Sequence, residues 1–248
     1  MTAIGLICAI PQESKPIVRR FPGASKLHLS GFPAWSFQAG DNPVTLIESG
    51  MGPAHAAAAT AALIESFKPD LVLNAGFCGA LTPGISVGDL VIAQRQYSLS
   101  SGRLSSAPPP DSYLAGIMLQ ELSTANCRLG SFVSTETFTN KSSISSLIPD
   151  NIDNPVIEME SAAVIRSCRN ARIPVGALRA VSDSSNEDPS SLVSELFDQD
   201  FTLDRFRVAI TLLGRPGLFP QLLRLAANAK MAGNTLADAL ARTLEKLG

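Results

Sequence analysis

The stretch SGMGPAHAAAATAALIESFKPDLVLNAGFCGA, residues 49–80, decides the fold class. Its middle is a helix written in alanine and leucine, the residues that lose least on becoming helical. Pro53 suits the first helical turn, where its missing N–H is not needed. Lys68-Pro69-Asp70 stops the helix after Phe67, and residues 71–75 form a short apolar run that reads as a buried strand. Gly76-Phe77-Cys78-Gly79-Ala80 then reads as a loop. Upstream, residues 3–10 are continuously apolar, the mark of a strand covered on both faces, and a short helix follows through Arg20. Residues 26–49 hold three strand-like pieces around Gly31 and Gly40-Asp41-Asn42-Pro43, a hairpin or meander.

Downstream the alternation continues. Strands are expected at Gly88–Ala93, at about 127–136, at Pro155–Glu158 and at Pro174–Val181, with helices at about 112–125 and 160–171 and a short helix and turn at 140–150. Residues 98–111, rich in Ser and Pro, read as a mobile surface loop. The last 60 residues read as mostly helical, with an apolar stripe at Leu236, Leu240, Leu244 and Leu247. The pattern predicts an α/β protein: a three-layer α/β/α sandwich with a mixed central β-sheet. Residues 1–248 read as a single domain with a helical C-terminal extension at about 200–248.

Composition narrows the function. Hydrophobic residues make up 45% of the chain and charged residues 17%, which supports a sizeable core. A net charge of −2 supplies no basic field for nucleic acid. No apolar run approaches the roughly 20 residues of a membrane span. The apolar N-terminus lacks the basic flank of a signal peptide. Cys8, Cys78, Cys127 and Cys168 are scattered without a C-x-x-C pair, so reduced thiols in a cytoplasmic protein are expected rather than disulfides or a zinc site. No metal or organic cofactor is implied. Gly50-Met51-Gly52 lacks the third glycine of a dinucleotide fingerprint, because His55 stands there. His28 and His55 are far apart; His55, near the glycine turn, is the one of interest.

Acidic residues stand where strands end. Glu13 follows the first strand, Glu158-Met159-Glu160 joins a strand to a helix, and Asp183 closes a strand before a polar loop. Ligands of open α/β sheets bind at such ends. Carboxylates gathered there repel one another unless a ligand or a proton is shared. The alternative is structural: Glu160 as a helix N-terminal residue, Asp183 with Ser182 as a turn cap, Glu13 as a solvated helix start.

Five ordered blocks between residues 3 and 190 resemble the nucleoside phosphorylase/nucleosidase superfamily, and within it the methylthioadenosine/S-adenosylhomocysteine nucleosidases. They are Ile4–Glu13, Ser49–Gly52 with its alanine helix, Lys68-Pro69-Asp70 through Gly88–Val91, Glu158–Ala163, and Arg179–Asp183. The resemblance implies hydrolysis of a purine N-glycosidic bond. Asp183 matches the general acid that protonates the leaving base, a role that needs a raised pKa. Glu160 matches the residue that binds the ribose hydroxyls and steadies the oxocarbenium-like sugar. Glu13 matches the residue that positions and activates water. Met159 would pack on the sugar and Phe138, in Thr137-Phe138-Thr139, on the base. Glu158, Gly52, Phe77, Cys78, Gly79 and Ser182 complete the implied substrate site. Met159 and Phe138 read equally as core residues.

A phosphorylase has to bind a phosphate dianion, and Glu13 in the first loop would repel it, so water is the expected nucleophile. A phosphorylase and a non-catalytic nucleoside-binding module are the alternatives. Pro11-Gln12 replaces an acidic run usual in the family, and Phe77-Cys78 stands where smaller residues are common. A bulkier or more apolar 5′-substituent is therefore expected. Arg215-Pro216-Gly217 and the leucine-rich helices resemble the hopanoid-associated branch, whose members cleave adenine from adenosylhopane; Phe219, Leu222, Leu223 and Leu225 would form an apolar mouth. The resemblance also implies a homodimer.

Overall fold

Leu71–Ala80 forms β5, a strand paired with three others, and the rest of the fold is arranged about it. The computed structural model describes residues 1–190, 192 and 215–247. On one side of β5 lies β1 (Ile4–Cys8), parallel to it, then β4 (Asn42–Glu48), β3 (Phe32–Ala39) and β2 (Ser25–Leu29). β2, β3 and β4 form the meander expected for residues 26–49. β1 is buried at every position, as its unbroken apolar sequence requires.

On its other side β5 pairs with two strands. β10 (Val175–Asp183) runs parallel to it, and β9 (Pro155–Glu158) runs antiparallel. β6 (Leu90–Ser100) and β8 (Cys127–Thr135) link β10 to β9, so β5, β10, β6, β8 and β9 close into a ring. The sheet is mixed, as predicted, but half of it is curled shut.

Helices cover both faces. α1 (Pro11–Val18), α3 (Ser112–Glu121) and the long C-terminal α6 (Phe219–Leu244) share one apolar cluster that includes Ile17, Leu114, Met118, Leu236 and Leu240. α2 (Pro53–Phe67) and α5 (Ser161–Asn170) cover the other face through Ala56, Ala59, Leu63, Val164 and Ile165. Small residues on α2 let it lie close to the sheet. α4 (Lys141–Ser145) is a short piece after β8. The predicted stripe Leu236, Leu240, Leu244 and Leu247 is buried throughout. Residues 200–214 of the expected helical extension lie outside the described residues.

Two expectations fail. Of residues 98–111, 108–111 alone are loop: β6 runs to Ser100, turns at Ser101-Gly102 and returns as β7 (Arg103–Ala107), with Leu99 paired to Leu104. Serines paired across a ladder read in sequence like loop serines, and the alternating pattern was too short to stand out. The second failure is at Gly76–Ala80, which continues β5 instead of leaving it. Its glycines serve packing, not a turn.

Candidate active site

Gly76 and Gly79 sit opposite Arg179 and Asp183 in the β5–β10 register. A Cβ at Gly76 would collide with Arg179 Nη1, and one at Gly79 would lie 2.5 Å from Asp183 Oδ2. The missing side chains leave room in which charged groups of β10 lie across β5. A cavity of about 320 Å³ opens beside them. Ten of the sequence-derived site residues line it: Glu13, Phe77, Cys78, Gly79, Phe138, Glu158, Met159, Glu160, Ser182 and Asp183. The eleventh, Gly52, is not in the wall but donates its N–H to Glu160 Oε1 at 2.9 Å.

The carboxylates divide into two groups, each with its own cation. Arg179, fully buried, faces three glutamates. Its Nη2 reaches Glu158 Oε2 at 2.6 Å and Glu160 Oε2 at 3.5 Å, and donates to Asn74 Oδ1 at 2.8 Å and Ser161 Oγ at 3.0 Å. Glu158 also takes the Ser134 hydroxyl and the N–H groups of Glu160 (2.9 Å) and Ser161 (2.7 Å). Glu158 thus caps α5, the role open to Glu160 in sequence. Burial alone would raise its pKa, but Arg179 and these donors outweigh burial and hold it below the usual carboxylate range. Glu160, with fewer donors and the Glu158 charge beside it, is pushed by burial up to about 7.

Glu13 is the third residue of α1, and Pro11 supplies the first turn. Its Oε2 accepts from the N–H groups of Ala9 (2.7 Å) and Ile10 (3.2 Å), and its Oε1 from that of Phe77 (2.8 Å). Burial raises its pKa against the pull of Arg179 and these amides. Asp183, at the end of β10, pairs through Oδ2 with Lys141, while Ser182 Oγ lies 2.7 Å from Oδ1. Burial lifts its pKa above the usual range despite Lys141. Burial also drives the Cys78 thiol far up, which leaves it inert as a nucleophile.

Sequence reasoning missed both cations. Arg179 left a signal, a lone arginine inside the apolar strand Val175–Val181; Lys141 left none. It also did not foresee that Met51, Thr135 and Ala229 would line the cavity. Of the four residues expected at an apolar mouth, Leu225 lines the cavity, whereas Phe219 and Leu223 are more than half exposed and Leu222 is not in the wall. The helical phase of α6 turns Leu225 inward and Phe219 and Leu223 outward. His55 takes no part: its Nδ1 lies 3.0 Å from Met51 O at the start of α2.

The model of the phosphorylase superfamily matches residues 3–213. The chain belongs to that superfamily. The enzyme of Haemophilus ducreyi called 5′-methylthioadenosine/S-adenosylhomocysteine nucleosidase is 31% identical over 199 residues, covering 74% of this chain and 86% of its own. The 5′-methylthioadenosine/S-adenosylhomocysteine nucleosidase of Neisseria meningitidis, solved with methylthio-immucillin-A, superposes with a TM-score of 0.77 at 22% identity over the whole of both chains. A mutant futalosine hydrolase of Helicobacter pylori gives 0.77 at 17% identity, again over both full chains. At those identities the two structures speak for the fold alone, and the mixed sheet with flanking helices is that of this phosphorylase-superfamily member. Among its described residues no helix is long and apolar enough to cross a membrane.

Proposed function

We propose that this member of the superfamily is a nucleosidase: as a single domain, it hydrolyses the N-glycosidic bond of a purine nucleoside, a 5′-substituted adenosine, and releases the base. The observation that carries this is the convergence of Asp183, Glu160 and Glu13 on one nucleoside-sized cavity. Asp183 protonates the base as the C–N bond breaks and its electron pair goes to the purine. Glu160, anionic and in reach of the ribose hydroxyls, stabilises the developing ribosyl cation. Glu13 orients water and takes its proton as oxygen bonds to the anomeric carbon. Phe138 and Phe77 offer apolar faces for the base, and Met51, Leu225 and Ala229 give the wall where an apolar 5′-group fits. Arg179 Nη2 is engaged by Glu158, Glu160, Asn74 and Ser161, and Arg179 is not in the cavity wall, which supports water over phosphate as nucleophile. The relatives named nucleosidases support the same choice. This reading includes a cytoplasmic homodimer. Four unpaired cysteines fit a reducing compartment, and light scattering on the purified enzyme tests the dimer.

The test is base release from a panel of 5′-substituted adenosines and inosines, with and without phosphate. Release in phosphate-free buffer is expected. Asp183→Asn is expected to lower kcat by about 10²–10⁴ in a protein that still melts cooperatively. Strict phosphate dependence with ribose-1-phosphate as product would make the protein a phosphorylase. Tight binding of nucleosides without any base release would make it a binding module.

A further inference from the structure

Taking Asp183 as the proton donor proposed above, we propose that Lys141 is a positioning residue for the proton transfer: its ammonium confines the transferable proton to Oδ1 of Asp183 and meets the carboxylate left behind when that proton goes to the purine. Lys141 is buried, and its side chain lies over Gly79, where an added Cβ would come 2.7 Å from Lys141 Cε. Its Nζ has three acceptors for its three N–H bonds: Asp183 Oδ2, Asp183 O at 3.2 Å and Ser184 O at 2.8 Å. Asp188 Oδ2 accepts from the Lys141 backbone N–H at 2.9 Å, which ties the start of α4 to the loop after β10. The ammonium is therefore held on every side.

An ammonium has no lone pair, so the carboxyl oxygen facing it can only accept. A proton on Asp183 must reside on Oδ1, whose neighbour Ser182 Oγ can accept it while donating to Cys78 O at 3.3 Å. A bound purine nitrogen replaces Ser182 as that acceptor. The Oδ1–H bond breaks, an N–H bond forms, and the new negative charge sits against a cation already in place. Preplaced charge of this kind needs no reorganisation during the reaction. A nearby cation also makes Asp183 a stronger acid, at the expense of the fraction protonated at high pH. The other titratable groups about Asp183 are Glu187 and Asp188 of the following loop, Cys78 of β5, and Glu13, Glu158 and Glu160, which line the same cavity. Each of the acidic ones opposes ionisation of Asp183, and Lys141 is the cation that touches it.

The test compares wild type, Lys141→Met, Lys141→Gln, Lys141→Arg and Asp183→Asn in base-release kinetics from pH 5 to 9.5, with melting curves for each. In Lys141→Met the basic limb of kcat/KM is expected to move up by about 1–3 pH units. Its kcat at neutral pH is expected to fall roughly 3- to 30-fold, because the acid is weaker. Lys141→Arg is expected to return the limb toward wild type. Lys141→Gln, which keeps a donor for the two carbonyls, serves where the Met variant does not fold. A folded Lys141→Met or Lys141→Gln enzyme with an unmoved basic limb overturns the proposal while leaving Asp183 as donor. Wild-type turnover in Asp183→Asn overturns the donor assignment itself, and this proposal with it.

Discussion

Replacing Arg179 by methionine tests the arrangement at its centre. The substitution roughly preserves volume and removes only charge and donors. Wild-type Arg179 is 1% exposed at its side chain and lies 2.6 Å from Glu158 and 3.5 Å from Glu160. Without it, Glu158 retains the Ser134 hydroxyl and two backbone amides, and Glu160 retains the Gly52 amide, but neither has a cation. Breaking a buried ion pair from one side costs about 3–5 kcal/mol. At about 2–4 °C per kcal/mol for a protein of this size, Tm should fall by about 6–20 °C. The pH dependence gives the sharper signature. In the wild type the Glu158 pKa is depressed, so its contribution is present above the unfolded value, about 4.3, and is lost as pH falls. In the variant burial is unopposed by Arg179 and the folded pKa rises above the unfolded one. The contribution is then present at low pH and lost as pH rises. The deficit between the two proteins should be largest near pH 8 and should shrink toward pH 5. Urea unfolding followed by Trp35 fluorescence at pH 8, 6.5 and 5 measures it. A deficit under about 1 kcal/mol, or one that ignores pH, would refute Arg179 as the counter-ion of the glutamate cluster.

Two further outcomes follow from the same geometry. With Glu160 titrating at about 7 and needed as the anion, kcat/KM should rise as pH increases through that value, and Glu160→Gln should remove this acid limb along with most turnover; a limb that persists in Glu160→Gln assigns it elsewhere. Leu225→Ala should lower kcat/KM for 5′-alkylthio adenosines by roughly tenfold or more and leave unsubstituted adenosine nearly unchanged, since Leu225 contributes apolar wall and no chemistry; equal losses on both substrates would remove α6 from the 5′-site.

The extent to which the site was legible in the sequence differs from one residue to the next. β1 and the alanine helix are unambiguous, because a continuous apolar run and helix formers determine their local structure without help. The Asp183, Glu160 and Glu13 positions were reachable because strand ends collect ligands and the motifs sit there. The closure of β5 with β9 was not legible, since β9 is four residues long and its partner segment Gly76–Ala80 has the composition of a loop. Lys141 was hidden for a different reason. It lies among serines on a short helix, and nothing local distinguishes it from a solvated lysine; only the fold brings it 42 residues along the chain to Asp183. Arg179 could have been found by asking what neutralises several glutamates at once. The alternation of Leu99 and Leu104 across a hairpin was present but diluted by serines.

The ring of five strands meets along a narrow seam: the β9–β5 ladder has two residue pairs, Gly79–Ile157 and Ala80–Val156. Glu158 and Glu160 stand on one lip of that seam, Gly79 and Asp183 on the other. In the proposed binding mode, a nucleoside held by its sugar on the first lip and by its base on the second would span the join like a stitch. The proposed substrate cavity and the shortest ladder of the ring are therefore one place, and a bound nucleoside is expected to tighten the fold there.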